Sequence, residues 1–186
     1  MKIYTIIGGV NGVGKSSLLG VLCTEMHDLG HIIDANHPAA RFDDGAIPQG
    51  KTITEQIDEC LRDGICFTEE TTLSGCHTLQ TVRRALDAGY YIRLYYVGLD
   101  SADESLARIR SRVTKGGHDV PTELVRQCFA ARFTDVARIL PYCSEATFYD
   151  NDNGFAAVAL YRNGELSPIG HCSPQWLCEL EAIWAE

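Results

Sequence analysis

The ten residues "GGVNGVGKSS", Gly8 to Ser17, constrain this chain more than any other stretch. They lie between an apolar run, Ile3 to Ile7, and a second apolar run that begins at Leu18. The segment Gly9-x-x-x-x-Gly14-Lys15-Ser16 fits the phosphate-binding loop pattern, in the strand-to-helix setting that the chemistry requires. Glycines let the backbone fold into a nest whose N–H groups point inward, at the positive end of the following helix. Gly9, Asn11, Gly12, Val13, Gly14, Lys15, Ser16 and Ser17 are therefore the expected phosphate contacts. Lys15 is expected to bridge phosphate oxygens and Ser16 to bind Mg²⁺, so the ligand expected is a nucleoside triphosphate, ATP or GTP.

The rest of the chain narrows the class. Guanine recognition would be expected to use N-K-x-D, and the nearest match, "TKGG" at Thr114 to Gly117, lacks the aspartate. With 186 residues and 45% hydrophobic content the chain is long enough for one sizeable core, and one domain over 1–186 is expected. Its net charge of −9 argues against nucleic acid or an acidic membrane as partner, because both demand a concentrated basic surface. Eight cysteines without a C-x-x-C pair argue against zinc or a disulfide framework, and point to reduced cytoplasmic thiols. No run approaches the roughly 20 apolar residues of a membrane helix.

Strand-like runs alternate with runs at helical spacing, which is the pattern of an α/β layered domain. Strands are expected at Ile3 to Ile7, Ile32 to Ile33, Ile65 to Thr68, Tyr91 to Val97, Ala146 to Tyr149 and Ala156 to Tyr161. Capping boxes are expected at Thr52 with Glu55 and at Ser101 with Glu104. Leu79, Val82 and Leu86 mark a third helix, and Leu124 to Leu140, behind Pro121, a fourth. Asn163-Gly164 signals a two-residue hairpin turn. In "SPQWLCELEAIWAE", Ser173 is the expected N-cap, Pro174 the first helical residue, and Leu177, Leu180 and Trp184 the buried side.

The stretch "ICFTEETTLSG", Ile65 to Gly75, ends its apolar run in Glu69, Glu70, Thr71 and Thr72. The carboxyl ends of parallel strands face the ligand crevice, so a carboxylate and hydroxyls here either hydrogen-bond a polyhydroxyl substrate or organise Mg²⁺. Asp34 likewise follows the apolar Ile32-Ile33.

Taken in order, "GGVNGVGKSS", "ETTLSG", "GYYIRLYYVGL" and "RVTKGGHDVP" resemble the zeta-toxin-like P-loop kinases over roughly Ile3 to Asn151. The resemblance implies a three-layer α/β/α kinase fold with a mostly parallel sheet and a helical lid, ATP with Mg²⁺, and γ-phosphoryl transfer to a hydroxyl. Characterised toxins of the family act on UDP-N-acetylglucosamine and related UDP-amino sugars. By this resemblance Glu70 and Thr72 match substrate-contacting residues, and Ser74 stands where the toxins carry an arginine. The toxins' catalytic aspartate follows the second strand. In this chain Asn36 falls near the expected position, Asp43 and Asp44 follow in a loop, and Asp34 is chosen as base because it ends a strand.

The lid is expected at about residues 108–132. Arg108 and Arg112 share a helix face, Arg126 and Arg132 belong to the next helix, and Lys115 to His118 form a glycine-rich hinge. Arginines brought over the phosphates stabilise the charge that phosphoryl transfer spreads over equatorial oxygens. Arg108 and Arg112 are assigned to the nucleotide, and Lys15, Asp34, Arg126 and Arg132 to catalysis. "YDNDNG", Tyr149 to Gly154, reads equally as an adenine contact or as a hairpin turn ahead of a C-terminal hairpin and helix, about residues 146–186.

These readings converge on a cytoplasmic ATP-dependent kinase for a small hydroxyl-bearing metabolite, with a UDP-amino sugar as leading acceptor. The alternatives are a kinase for another sugar, a nucleoside or an antibiotic, and an ATP-binding regulatory module without transfer. Nothing in the sequence supports or removes a protein antitoxin as partner.

Overall fold

The computed structural model describes residues 1–34, 51–152, 154–171 and 173–185. The order of elements is β1 (Ile3–Gly8), α1 (Lys15–Glu25), β2 (His31–Asp34), α2 (Ile53–Asp63), β3 (Phe67–Thr71), α3 (His77–Asp87), β4 (Tyr91–Gly98), α4 (Ala102–Val113), α5 (Thr122–Ile139), β5 (Glu145–Asp150), β6 (Ala156–Arg162), β7 (Glu165–Pro168) and α6 (Gln175–Trp184). The seven strands form one sheet in the order β2-β3-β1-β4-β5-β6-β7. The first five are parallel, and β6 and β7 add an antiparallel edge.

The chain pairs β1 with β3 on one side and with β4 on the other, so the loop leaving β1 opens where the strand order reverses. That is where open α/β sheets bind ligands. Alternation along β1 divides the core between the two faces. Tyr4 and Ile6 pack with α2, α3, the end of α5 and α6, whereas Ile7 packs with Leu18, Leu19 and Leu22 of α1. A third, small cluster joins Leu106 and Ile109 of α4 to Val125 of α5. It gives the α4–α5 pair a core of its own, separate from the sheet.

Several local expectations shift. β3 begins at Phe67 rather than Ile65 and runs on through Glu69 and Glu70 to Thr71, so both glutamates belong to the strand and point to opposite faces. The Thr52/Glu55 capping box is complete, but Ser101 accepts from the Glu104 amide with no return bond, because the Glu104 carboxylate pairs with Arg108. Leu86 and Leu124 are partly solvent-exposed, and α3 instead buries Thr78, Thr81, Val82 and Ala85. Pro121 caps α5 from outside the helix. Asn163 and Gly164 both have positive φ, as the β6–β7 turn demands.

The start of α6 also differs from the sequence reading. Pro174 is the capping residue, and the helix amide that finds a side-chain acceptor is that of Trp176, which donates to Oδ1 of Asp100 at 2.8 Å. The cap thus comes from the β4–α4 loop, a long-range partner with no local sequence signal. Trp176 is fully buried, its indole N–H donates to Oδ1 of Asp150 at 2.8 Å, and its ring stacks on Phe133. It lies against Gly98 so closely that no side chain fits there.

Among the described residues no helix is long and apolar enough to cross a membrane. Because Trp176 fills this space and satisfies its own polar atom, Trp176→Ala is expected to cost about 3–5 kcal/mol of stability. Trp176→Phe, which keeps a ring and loses the N–H, is expected to cost less. Urea denaturation of the three proteins checks the order, and an alanine variant as stable as the parent would remove α6 from the core.

Candidate nucleotide-binding site

The loop from Gly8 to Lys15 is shaped by what its carbonyls do. Gly9, Gly12 and Gly14 take positive φ values of 146°, 76° and 105°, which glycine adopts without strain. A Cβ on Gly9 would come within 2.7 Å of the Val97 carbonyl oxygen, and one on Gly12 within 2.7 Å of that of Ser105. Four of the loop's carbonyls are held individually. Val10 accepts from the Lys15 ammonium at 3.1 Å, and Asn11 accepts from the Ser105 hydroxyl. Val13 accepts from Asn151 Nδ2 at 2.8 Å and from Arg108 Nη1 at 3.5 Å. Gly14 accepts from the amides of Ser17 and Leu18, both at 3.0 Å. Val10 accepts also from the Val13 amide at 3.4 Å, and the glycine-rich backbone leads directly into the first turn of α1, where helix N–H groups favour an anion.

Helix α1 opens on Lys15, Ser16 and Ser17 with no side-chain cap and no acidic residue in its first turn. No residue of its own first turn neutralises its positive end, and the nearby carboxylate comes from β3. Lys15 is 6% exposed, and burial is the main influence that lowers its pKa, opposed by the carboxylates of Glu70 and Asp34 and reinforced by Arg112. The Cys128 thiol also acts on Lys15. The side chains whose charge acts on the ammonium thus come from β2, β3, α4 and α5. Ser16 Oγ donates to Glu70 Oε1 at 3.1 Å, while Asp34 is the direct β2 neighbour of Glu70 in the parallel register and shares its face of the sheet.

The structure brings Gly9, Asn11, Gly12, Val13, Gly14, Lys15, Ser16, Ser17, Asp34, Glu70, Arg108 and Arg112 to the carboxyl end of the sheet. Arg108 also donates to the Asn151 carbonyl at 2.7 Å and pairs with Glu104 at 2.5 Å. Arg112 donates to the His118 carbonyl at 2.7 Å and so ties α4 to the hinge. Gly116 has a φ of 86°, and a Cβ on Gly117 would collide with the Arg112 side chain. Thr72 follows β3 directly and is partly buried. The next residue, Leu73, is buried with a φ of 65°, an uncommon conformation for a leucine, and its side chain packs under Gly8. Asn36, Asp43 and Asp44 lie outside the described residues.

Two arginines are placed differently from the catalytic assignment. Arg126 forms an exposed ion pair with Asp103 of α4 at 2.9 Å. Arg132 is buried between Phe129 and Phe133 and pairs with Glu179 of α6 at 2.5 Å. Both are held by carboxylates of neighbouring helices, which the i, i+4 reading of the sequence could not register.

Three features carried little sequence signal. Asn151 follows β5 within "YDNDNG", so its position at a strand's carboxyl end was the available clue to its clamp on Val13. Phe155 lies against Gly14 on the same side. Ser74 Oγ donates to Cys128 Sγ at 3.3 Å, joining the β3–α3 loop to α5. On the opposite face Glu69 accepts from the Tyr4 hydroxyl, with His77 Nε2 at 3.9 Å.

Two outcomes follow from this geometry. Asn151→Ala removes the shorter of two bonds to the Val13 carbonyl and is expected to weaken Mg-ADP binding by about 1 kcal/mol, measured by calorimetry. Unchanged affinity would show that the clamp does not shape the loop. Burial raises the Glu69 pKa above its ordinary 4.5, against the Tyr4 hydrogen bond and the His77 charge. The folded state therefore binds this proton more tightly, and the associated stability, full below 4.5, is lost as pH rises through the raised value. Glu69→Gln is expected to flatten that loss in urea melts taken from pH 4.5 upward, and an unaltered slope would contradict it.

No family model matches the chain. It is 30% identical over 123 residues to an uncharacterized protein of Haemophilus influenzae, covering 63% of this chain and 86% of that protein. Among solved structures, a chain from the PezAT chromosomal toxin–antitoxin system of Streptococcus pneumoniae superposes with a TM-score of 0.65 at 16% identity, over 100% of this chain and 85% of that one. Chains from the AvrRxo1-ORF1:ORF2 complex, solved with sulphate ions and with ATP, superpose at 0.60 with 15% and 14% identity, over 98% of this chain and 63% of theirs. The chain belongs to one family with the Haemophilus influenzae protein and has the zeta-toxin-like P-loop kinase fold.

Proposed function

We propose that this protein is an ATP-dependent phosphotransferase acting on a hydroxyl of a small molecule. The observation that carries the reading is the convergence of Asp34 and Glu70 on the buried Lys15 beside a preformed phosphate loop. A structural neighbour solved with ATP supports the nucleotide. The acceptor hydroxyl would attack the γ-phosphorus, the bond from that phosphorus to the β–γ bridging oxygen would break, ADP would leave, and the hydroxyl proton would pass to Asp34. Lys15 holds the transferring phosphoryl group, and Arg112, already within electrostatic reach, adds positive charge as it accumulates on the phosphate oxygens. Arg108, Asn151 and Phe155 line the side of the loop where the base and ribose would lie.

Ser16 and Glu70 offer two adjacent hard oxygen donors, which fit Mg²⁺. When bound, Mg²⁺ screens the β- and γ-phosphate charge. This assigns Glu70 to the metal, with Thr72 left to the acceptor. Arg126 and Arg132 take part only if their pairs with Asp103 and Glu179 open, so both are proposed as residues that reach the site on lid movement. A UDP-amino sugar is the acceptor implied by the family resemblance, and a toxin–antitoxin neighbour makes a protein partner a reasonable second question.

Lys15→Ala is expected to reduce ATP-dependent transfer by roughly 10²-fold or more, as for loss of a positioned charge at a transferring group. Near-normal turnover in a folded variant would contradict the reading. Glu70→Gln is expected to weaken binding of Mg-ADP more than of metal-free ADP. Unchanged binding of both would return Glu70 to the acceptor site.

A further inference from the structure

The fully buried Trp176 of α6 spends both of its N–H groups on carboxylates at the ends of β4 and β5. Its amide donates to Asp100 Oδ1 and its indole N–H to Asp150 Oδ1, both at 2.8 Å. Asp100 precedes Ser101, the N-cap of α4, and that helix carries Ser105, which donates to the Asn11 carbonyl, and Arg108, which reaches the Val13 carbonyl at 3.5 Å. Asp150 ends β5 and precedes Asn151, whose Nδ2 reaches the same Val13 carbonyl at 2.8 Å. Arg108 closes the circuit by donating to the Asn151 carbonyl at 2.7 Å. One side chain thus stands behind both donors to Val13. Its ring lies against Gly98, where no side chain fits, and against the rings of Tyr96 and Phe133, so packing fixes its position from several sides.

We infer that Trp176 is a positioning residue of the nucleotide site, acting through Asp150 and Asn151 on the carbonyl of Val13. The inference rests on the nucleotide-binding part of the phosphotransfer reading and deepens it. The second oxygen of Asp150 accepts from the Asp152 amide at 3.3 Å, so the carboxylate holds the chain on the far side of Asn151 as well. With both oxygens of Asp150 engaged, the backbone that carries Asn151 is fixed before any ligand arrives, and its side-chain amide meets Val13 in one arrangement. Order present before binding appears as affinity, because a loop that must be ordered on binding takes that free energy from the complex. Indole nitrogen can only donate, and phenylalanine offers no replacement for it. Trp176→Phe therefore keeps a ring in the core and removes the tether to Asp150.

Mg-ADP calorimetry on Trp176→Phe, Asn151→Ala and the double variant tests the role. Trp176→Phe is expected to weaken binding roughly threefold or more, the size of one hydrogen bond's net contribution, and Asn151→Ala at least as much. The double variant is expected to bind no more weakly than Asn151→Ala alone, because both changes act on one carbonyl. Losses that multiply in the double variant, or unchanged affinity in either single variant, would overturn the inference. Leu180→Ala removes buried apolar packing from the same helix and is expected to lower the urea midpoint while keeping wild-type affinity. Weakening equal to that of Trp176→Phe would reduce Trp176 to a purely structural residue. Should Trp176→Phe fail to fold, Asp150→Ala takes its place in the cycle, and Asp150→Asn, which keeps a side-chain oxygen for the indole N–H, is expected to bind as the wild type does. Equal weakening by both Asp150 variants would contradict the tether. Wild-type protein that does not bind Mg-ADP would overturn the nucleotide reading itself, and the inference with it.

Discussion

The glycine-rich loop between β1 and α1 keeps its shape only if its carbonyls find donors, and much of this structure can be understood from where those donors come. The partners of Val10, Asn11, Val13 and Gly14 come from Lys15, α4, the end of β5 and the first turn of α1. A buried carbonyl left without a donor costs on the order of 1–3 kcal/mol, so each of these partners is held by the fold around it. α4 is pressed onto Gly12, and Asn151 is fixed by the strand that precedes it. The loop between β1 and α1 is thereby tied to elements 94 to 138 residues away in the chain.

The C-terminal helix extends that dependence. Trp176 engages Asp100 and Asp150 through its two N–H groups, and Asp150 is the immediate neighbour of the Asn151 that clamps Val13. Glu179 on the same helix pairs with Arg132 of α5, whose guanidinium lies over the rings of Phe129 and Phe133. The α4–α5 pair has its own small apolar core and a surface ion pair, Arg126 with Asp103. Exposed pairs of that kind contribute roughly 0–1 kcal/mol, so Arg126 can exchange partners far more readily than Arg132. Of the two arginines assigned to the proposed lid, Arg126 is the less firmly held.

The β1–loop–α1 unit was legible because glycine spacing, the lysine and the apolar runs on either side state the same local geometry. The alternation of strands and helices was legible for the same reason, and so was the Asn163-Gly164 turn. Contacts between distant elements were not. Whether Arg132 faces phosphate or Glu179 depends on how α6 packs, and the helical spacing of arginines says nothing about a partner 47 residues away. The strand containing Glu69 and Glu70 was placed two residues early because Ile65 extends the apolar run before pairing begins, although Asp34 was read correctly as a strand end. In sequence only the family resemblance set Glu70 apart from Glu69. The pleat sends Glu70 to Ser16 beside Lys15 and Glu69 to Tyr4 on the far face.

The central claim is that the loop between β1 and α1 is a preformed cradle for nucleotide phosphates, held by Arg108 and Asn151. Amide hydrogen exchange with and without Mg-ADP tests it most directly. The account predicts that protection on adding nucleotide concentrates at residues 9–17, with smaller gains around Arg108 and Asn151, while the amides of α2 and β7 are unchanged. Protection that spares residues 9–17, or that appears only at surfaces away from the carboxyl end of the sheet, would contradict it.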